Sequence, residues 1–197
     1  MKKPYSESCD QNQAVILSIL SPLLLSSSNV LEIGSGTGQH AIYFADNMPH
    51  LIWYTSDCQS YHEGINAWLS EACLSNVKEP FALDVSKSKW PEIEVDAIFT
   101  ANSVHIMHQL DVENLIQGAG ELLKKNGALI IYGPFNYAGT YTSDSNKRFD
   151  QWLKNRDSQS GIKHFENIEL LAKKCGLQLV CDYDMPANNR ILHYKKL

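Results

Sequence analysis

Short apolar runs of strand length alternate with longer segments of helical period along this chain, and the last two runs are joined by only six residues, 184–189. That alternation predicts an α/β sheet. The predicted strands cover 30–33, 51–55, 77–83, 95–101, 128–132, 177–183 and 190–194. The first five are separated by connections long enough for parallel crossovers. The six-residue link between the last two permits only an antiparallel pair. Helical stretches fill the gaps. An opening helix carries Val15, Ile16, Ile19, Leu20 and Leu23 on one stripe, a second carries Ile42, Phe44 and Ala45, and a third covers 61–72 with Ile65, Trp68 and Leu69 inward. Two more span 112–124 and 168–175, ending at Asn126-Gly127 and Gly176.

The 197 residues suit one domain, 1–197, with an N-terminal helical segment, 1–28. One stretch breaks the alternation: 133–164 holds a loop and an extra helix near 146–153, leaving from the carboxyl end of a strand. Insertions of that length tend to be lids or binding loops. At 44% apolar and 20% charged residues the composition is that of an ordinary globular protein, which excludes extended disorder. The net charge of −5 is scattered, with no basic block to grip nucleic acid or an anionic membrane. Five isolated cysteines without a Cys-x-x-Cys pair argue against a disulfide framework or a thiolate zinc site. The start Met1-Lys2-Lys3-Pro4 turns polar at once, unlike a secretory signal, and the apolar run 14–25 is broken by Ser18, Ser21 and Pro22. A cytoplasmic location and a small-molecule substrate are the expectation, without nucleic acid or membrane partners; the oligomeric state stays open.

In an open parallel sheet, ligands bind beyond the carboxyl ends of the strands. There the chain places Gly34-Ser35-Gly36-Thr37-Gly38 after the first strand, Asp57 after the second, Asp84-Val85 after the third and Asn102-Ser103-Val104-His105 after the fourth. Glycines allow the tight turn and a close approach of backbone to ligand. An acid at the second strand tip suits ribose hydroxyls. A nicotinamide fingerprint needs a third glycine where Gln39 stands, and Glu32, just before the loop, suits a cationic ligand better than a pyrophosphate. S-adenosylmethionine carries an ammonium and a sulfonium, so these residues favour it over a dinucleotide.

The motif Glu32-x-Gly34-x-Gly36-x-Gly38 resembles that of class I S-adenosylmethionine-dependent methyltransferases. More narrowly, the chain resembles the methyltransferase-like 26 type through Lys3-Pro4-Tyr5-Ser6, Asn12, the segment from Leu31 to His40, Leu83-Asp84-Val85, Tyr132-Gly133-Pro134-Phe135 and Met185-Pro186-Ala187-Asn188-Asn189. The resemblance implies a Rossmann-like fold with seven strands, mostly parallel, an antiparallel C-terminal hairpin, and helices on both faces. It further implies cofactor contacts from Glu32, Gly34, Ser35, Gly36, Gly38, Asp57, Asp84, Val85 and Asn102, with S-adenosylhomocysteine as product.

Transfer from a sulfonium needs a nucleophile held in line and, where a proton must leave, a base. His105 is the candidate base and Asn102 a second candidate catalytic residue; a His bonded to backbone is the plainer alternative. The strand-four tip lacks the Asn/Asp-Pro-Pro-aromatic pattern of many amino-methylating enzymes. His105 with His108 could share a metal, but no third ligand is evident, so none is expected. Tyr5, Tyr132, Phe135, Tyr137, Asn188 and Asn189 are candidate acceptor contacts, with packing under a loop as their alternative. Trp53, Trp68 and Trp90 read as packing. Two other functions compete with the transferase: a non-catalytic cofactor-binding module and, disfavoured by Gln39 and Glu32, a nicotinamide oxidoreductase.

Overall fold

The computed structural model describes residues 3–87 and 89–197; Met1 and Lys2 of the N-terminal reading lie outside them. Seven strands form one sheet in the order β3-β2-β1-β4-β5-β7-β6. They are β1 (Asn29–Glu32), β2 (Ile52–Asp57), β3 (Val77–Ala82), β4 (Ala97–Ala101), β5 (Ala128–Gly133), β6 (Leu177–Met185) and β7 (Asn189–Lys196). β1 runs parallel to β2 and β4, and β2 parallel to β3, whereas β7 is antiparallel to both β5 and β6. The antiparallel closure expected from the six-residue link is therefore present. The link itself is tighter than expected, a single 3-10 turn at Pro186–Asn188, with Ala187 in the left-handed region.

Contacts divide the chain into two compact units, Met1–Phe99 and Thr100–Leu197. The first holds α1 (Glu7–Leu23), α2 (Gln39–Asn47) and α3 (His62–Ala72). Ser6 caps α1 by accepting the Cys9 N–H. The buried stripe of α1 is Asn12, Ile16 and Leu20, continued by Leu24 at the cap, while Val15, Ile19 and Leu23 stay half-exposed. Ile16 and Leu20 are thus buried as expected, while Asn12 and Leu24 complete the stripe in place of the flanking Val15, Ile19 and Leu23. Asn12 can be buried because its Oδ1 lies 2.7 Å from Nε2 of the buried His40 on α2. Phe44, Trp53 and Phe99 pack edge-on and tilted at 5.5–6.0 Å between centroids in this core.

The second unit holds α4 (Gln109–Leu122), α5 (Asp144–Arg156) and α6 (Phe165–Lys174). Ser143 caps α5, the helix expected inside the inserted stretch. Gly120 lets α4 meet the end of α6: a Cβ there would sit 2.8 Å from the Cys175 carbonyl oxygen. Among the described residues no helix is long and apolar enough to cross a membrane.

Candidate active site

In the first unit, the turn after β1 is stitched to the end of β2. The amides of Gly34 and Ser35 both donate to the Ser56 carbonyl, at 3.0 and 2.9 Å, and the Gly38 amide donates to the Ser35 carbonyl. Gly36 and Gly38 carry the left-handed angles, φ 58° and 90°, that the turn requires. They serve different ends. A Cβ on Gly38 would come within 3.2 Å of the Ile65 backbone, so this glycine lets α3 close on the loop. A Cβ on Gly36 would meet nothing within 4 Å; that position faces open space.

Asp57, expected at a ribose, also braces the loop. Its Oδ2 accepts the Gly36 amide and its Oδ1 the Cys58 amide, each at 2.7 Å. Burial pushes its carboxyl up, against the pull of those two amides. Each carboxylate oxygen retains a further lone pair for a hydroxyl donor. Asp84 lies half-exposed in a turn of its own, accepting the Ser86 amide and hydroxyl and pairing with Lys87, which hold its carboxyl below the usual range; Val85 sits in the same turn.

Glu32 is buried more deeply than a surface anion would be, at 1% exposed. The Trp53 indole N–H donates to its Oε2 at 3.2 Å. Burial pushes its carboxyl up from 4.5 to about 7, against the opposing bonds from Trp53 and Ser35 and with a smaller push from Asp57. Near neutral pH the group is thus poised between its forms, and a cation arriving beside it would draw it to carboxylate. Trp53 is core, as expected, but it also tethers this acid.

The N-terminal arm is held by anchors that sequence reasoning missed. Gln39, singled out only for not being glycine, holds the arm by both ends of its amide: Oε1 accepts the Ser6 N–H at 2.6 Å and Nε2 donates to the Ser6 carbonyl at 3.2 Å. Trp68 departs from the packing expectation. Its indole N–H donates to the Pro4 carbonyl at 2.6 Å, and the Lys3 ammonium lies 3.5 Å from its ring centroid. Tyr5 between these anchors is 63% exposed. Trp90 is half-exposed in a loop.

In the second unit, Asn102 follows β4 with φ 58°, its amide donating to the Tyr132 carbonyl. His105, in the next turn, is buried with its ring edge-on to Phe149 at 5.2 Å. Its backbone carbonyl accepts the Gly161 amide, but neither ring nitrogen has a hydrogen-bond partner among the described residues. The alternative of a ring tied to backbone therefore does not describe it. Burial, aided by the Lys163 ammonium, lowers its pKa to about 4, so the imidazole is neutral at physiological pH. His108 points elsewhere, 2.7 Å from Asp157. Among the described residues no group of three His, Cys, Asp or Glu side chains is placed to hold a metal.

The remaining candidates separate by their surroundings. Tyr132 and Phe135 are buried. The Tyr137 hydroxyl donates to Asp182 at 2.8 Å, and its ring stacks on Phe165. Asn188 donates to the Ser145 hydroxyl and offers its carbonyl to Asn146; Asn189 donates to the Pro186 carbonyl. The residue organising the insertion, Asp150, carried no sequence signal beyond its place in an amphipathic helix. It is 1% exposed; Oδ1 accepts the Ile162 amide at 2.7 Å, and Oδ2 accepts the Tyr141 hydroxyl and the Lys154 ammonium at 2.7 and 2.6 Å.

A family model described as a protein of unknown function, DUF938, matches residues 3–196. The chain belongs to the DUF938 family. Among solved structures, an O-methyltransferase family protein from Burkholderia thailandensis superposes on this DUF938 member with a TM-score of 0.85 at 13% identity, covering 96% of this chain and 57% of its own. Human N-acetylserotonin methyltransferase, solved with S-adenosylmethionine, gives 0.80 at 14%, covering 96% and 53%. The S-adenosylmethionine-dependent methyltransferase SibL gives 0.80 at 18%, covering 95% and 55%. The chain spans slightly more than half the length of each. These likenesses show the fold, that of the class I methyltransferases.

Glu32 gives this fold a measurable pH signature. Its folded pKa lies above the unfolded one, so its contribution to stability is fully present below about 4.5 and is lost as pH rises through about 7. The loss amounts to roughly 3 kcal/mol between those limits. Glu32→Gln is expected to remove that slope, leaving the variant more stable than the parent at alkaline pH. Urea unfolding on both sides of neutrality checks this; parallel pH profiles for the two proteins would mean that Glu32 titrates normally.

Proposed function

We propose that the chain is a cytoplasmic S-adenosylmethionine-dependent methyltransferase acting on a small-molecule acceptor. The observation that carries this reading is the Gly36 cradle: a left-handed glycine whose missing Cβ would face open space, braced from behind by the Asp57 carboxylate. The left-handed angle by itself would call for glycine; the clear approach beside it and the carboxylate behind it are what a bound ligand could use.

In this reading Glu32 and the Gly34, Ser35, Gly36 and Gly38 loop hold the methionine end, Asp57 the ribose hydroxyls, and Asp84 with Val85 the adenine side; Asn102 is a further proposed contact. When bound, S-adenosylmethionine supplies a methyl group made electrophilic by its sulfonium. Glu32 offers a buried charge to the ammonium, which is worth more there than in water. His105 is the proposed proton acceptor, because a neutral imidazole with unclaimed ring nitrogens can take a proton from an acceptor hydroxyl. Its low pKa makes it a weak base, suited to a proton that is already acidified as the methyl bond forms. Tyr5, Tyr137, Asn188 and Asn189 are proposed acceptor contacts; Tyr132 and Phe135 would contribute walls. The structural neighbours include the mitomycin 7-O-methyltransferase MmcR, which supports a small acceptor. The segments quoted for the methyltransferase-like 26 resemblance support a narrower kinship with that type.

Titration calorimetry with S-adenosylhomocysteine tests the reading. The parent protein is expected to bind it. Asp57→Ala is expected to weaken binding about tenfold or more, near 1.4 kcal/mol, by releasing the loop and a ribose acceptor together. Gly36→Ala puts a methyl into the cradle and should weaken binding similarly, while the strain of a side chain at φ 58° lowers stability by about 1–2 kcal/mol. Absence of binding by the parent would sink the proposal, and unchanged affinity in both variants would move the site elsewhere.

A further inference from the structure

The first unit contains a cavity of about 670 Å³ beside the glycine loop. That volume lies in the range of small-molecule sites. Gly36 and Ala67 contribute small surfaces, Pro4 of the N-terminal arm forms one wall, and Tyr61, Glu63 and Gly64 from the start of α3 form another. The Pro4 wall is built, not incidental. A Cβ on Gly64 would come within 2.7 Å of the Pro4 Cγ, so glycine is what lets the arm lie this close to the helix. The Trp68 indole then fixes the Pro4 carbonyl.

Charge in this cavity is unbalanced. Lys3, the cation nearest in sequence to the arm, is spent on Glu71 at 2.6 Å and on the Trp68 ring. Glu63 has no ion-pair or hydrogen-bond partner among the described residues. The Tyr61 ring beside it is 53% exposed. An unneutralised carboxylate and an open aromatic face, set in a largely apolar wall, are the elements that recognise an organic cation. Thr37, Ser60, Asn66 and Ser70 in the lining can serve a neutral ligand as well, but only a cation gains from the carboxylate, and an anion would be repelled.

We propose that this cavity binds a small arylalkylamine in its ammonium form, at a site separate from the acceptor contacts of the methyltransferase reading. Glu63 holds the ammonium, Tyr61 covers it, and the small residues admit the ring.

The test titrates phenethylamine, and separately the uncharged phenethyl alcohol, into the ¹⁵N-labelled chain while following the amides of Gly36, Gly64 and Ala67. The amine is expected to bind at least about tenfold more tightly than the alcohol, and Glu63→Gln should erase that preference. Glu63 is exposed on a helix, so its variant is expected to fold; Tyr61→Ala, weakening the amine alone, provides a second reading. Equal affinity for the two probes, an unaffected Glu63→Gln, or displacement of the amine by S-adenosylhomocysteine overturns the assignment, the last by showing the cavity to be the cofactor's own seat. Calorimetry with S-adenosylhomocysteine keeps the two proposals apart. Its binding to Glu63→Gln is expected to match the parent. Amine binding through Glu63 without any S-adenosylhomocysteine binding would overturn the methyltransferase reading and leave the amine site standing.

Discussion

Asp150→Ala is expected to destabilise the protein by about 3 kcal/mol, lowering the melting temperature by roughly 6–12 °C. The size follows from what the substitution leaves behind. Asp150 is buried and takes three donors: the Ile162 amide, the Tyr141 hydroxyl and the Lys154 ammonium. Alanine strands the amide in a buried site, where an unsatisfied donor costs about 1–3 kcal/mol. The Lys154 share is small, because that side chain is half-exposed and water can replace its partner. Burial alone would raise the Asp150 carboxyl, but the bonds from Lys154, Tyr141 and Ile162 outweigh it and hold the pKa below the ordinary value. Its stabilising contribution is thus present above the unfolded pKa and lost as pH falls through the folded one. Asp150→Asn keeps an oxygen for Ile162 and should fall between parent and alanine. Thermal unfolding, with hydrogen exchange at the Ile162 amide, measures both effects. An unchanged melting temperature and a protected amide in Asp150→Ala would show that something else anchors the insertion.

The second large effect is at Gly120. By helix propensity alone, Gly→Ala inside α4 should stabilise by about 1 kcal/mol. The tertiary structure reverses the sign. The added Cβ would stand 2.8 Å from the Cys175 carbonyl oxygen and 2.9 Å from the Cys175 Cβ. That carbonyl cannot swing aside freely, since it accepts the Lys196 ammonium at 2.7 Å. Forced separation of packed backbone costs about 1–3 kcal/mol, so Gly120→Ala should be a net loss. Gly120→Val, which adds β-branching and loses the propensity gain, should cost about 3 kcal/mol. Urea midpoints at constant slope decide the matter. A higher midpoint for Gly120→Ala would mean that α4 and α6 do not meet as described.

The sheet's strands were legible because each is a local apolar run, and their observed bounds fall within a few residues of the expected ones. The glycine turn was legible for a similar reason: left-handed backbone at Gly36 and Gly38 leaves a direct mark on residue type. Errors arose where a side chain's environment came from far along the chain. Trp68 looked like core, yet its N–H is claimed by Pro4, 64 residues away. On α1, Ile16 and Leu20 are buried as expected, but Asn12 reads as polar, and only His40 makes its burial tolerable. His105 could be either tied or free in sequence; the absence of a ring partner is a property of the folded neighbourhood.

By itself, then, the sequence determined the alternation of strands and helices, the antiparallel last pair, and a turn that keeps backbone open at Gly36. Those depend on periodicity, chain length and the absence of a Cβ, which act over a few residues. Only the tertiary structure decided that β7 lies between β5 and β6, that Gln39 and Trp68 clasp the N-terminal arm, and that Glu32 sits near its midpoint at neutral pH. A carboxylate's charge and an amide's partner depend on how much water and which distant groups the fold leaves around them, and no local pattern encodes that.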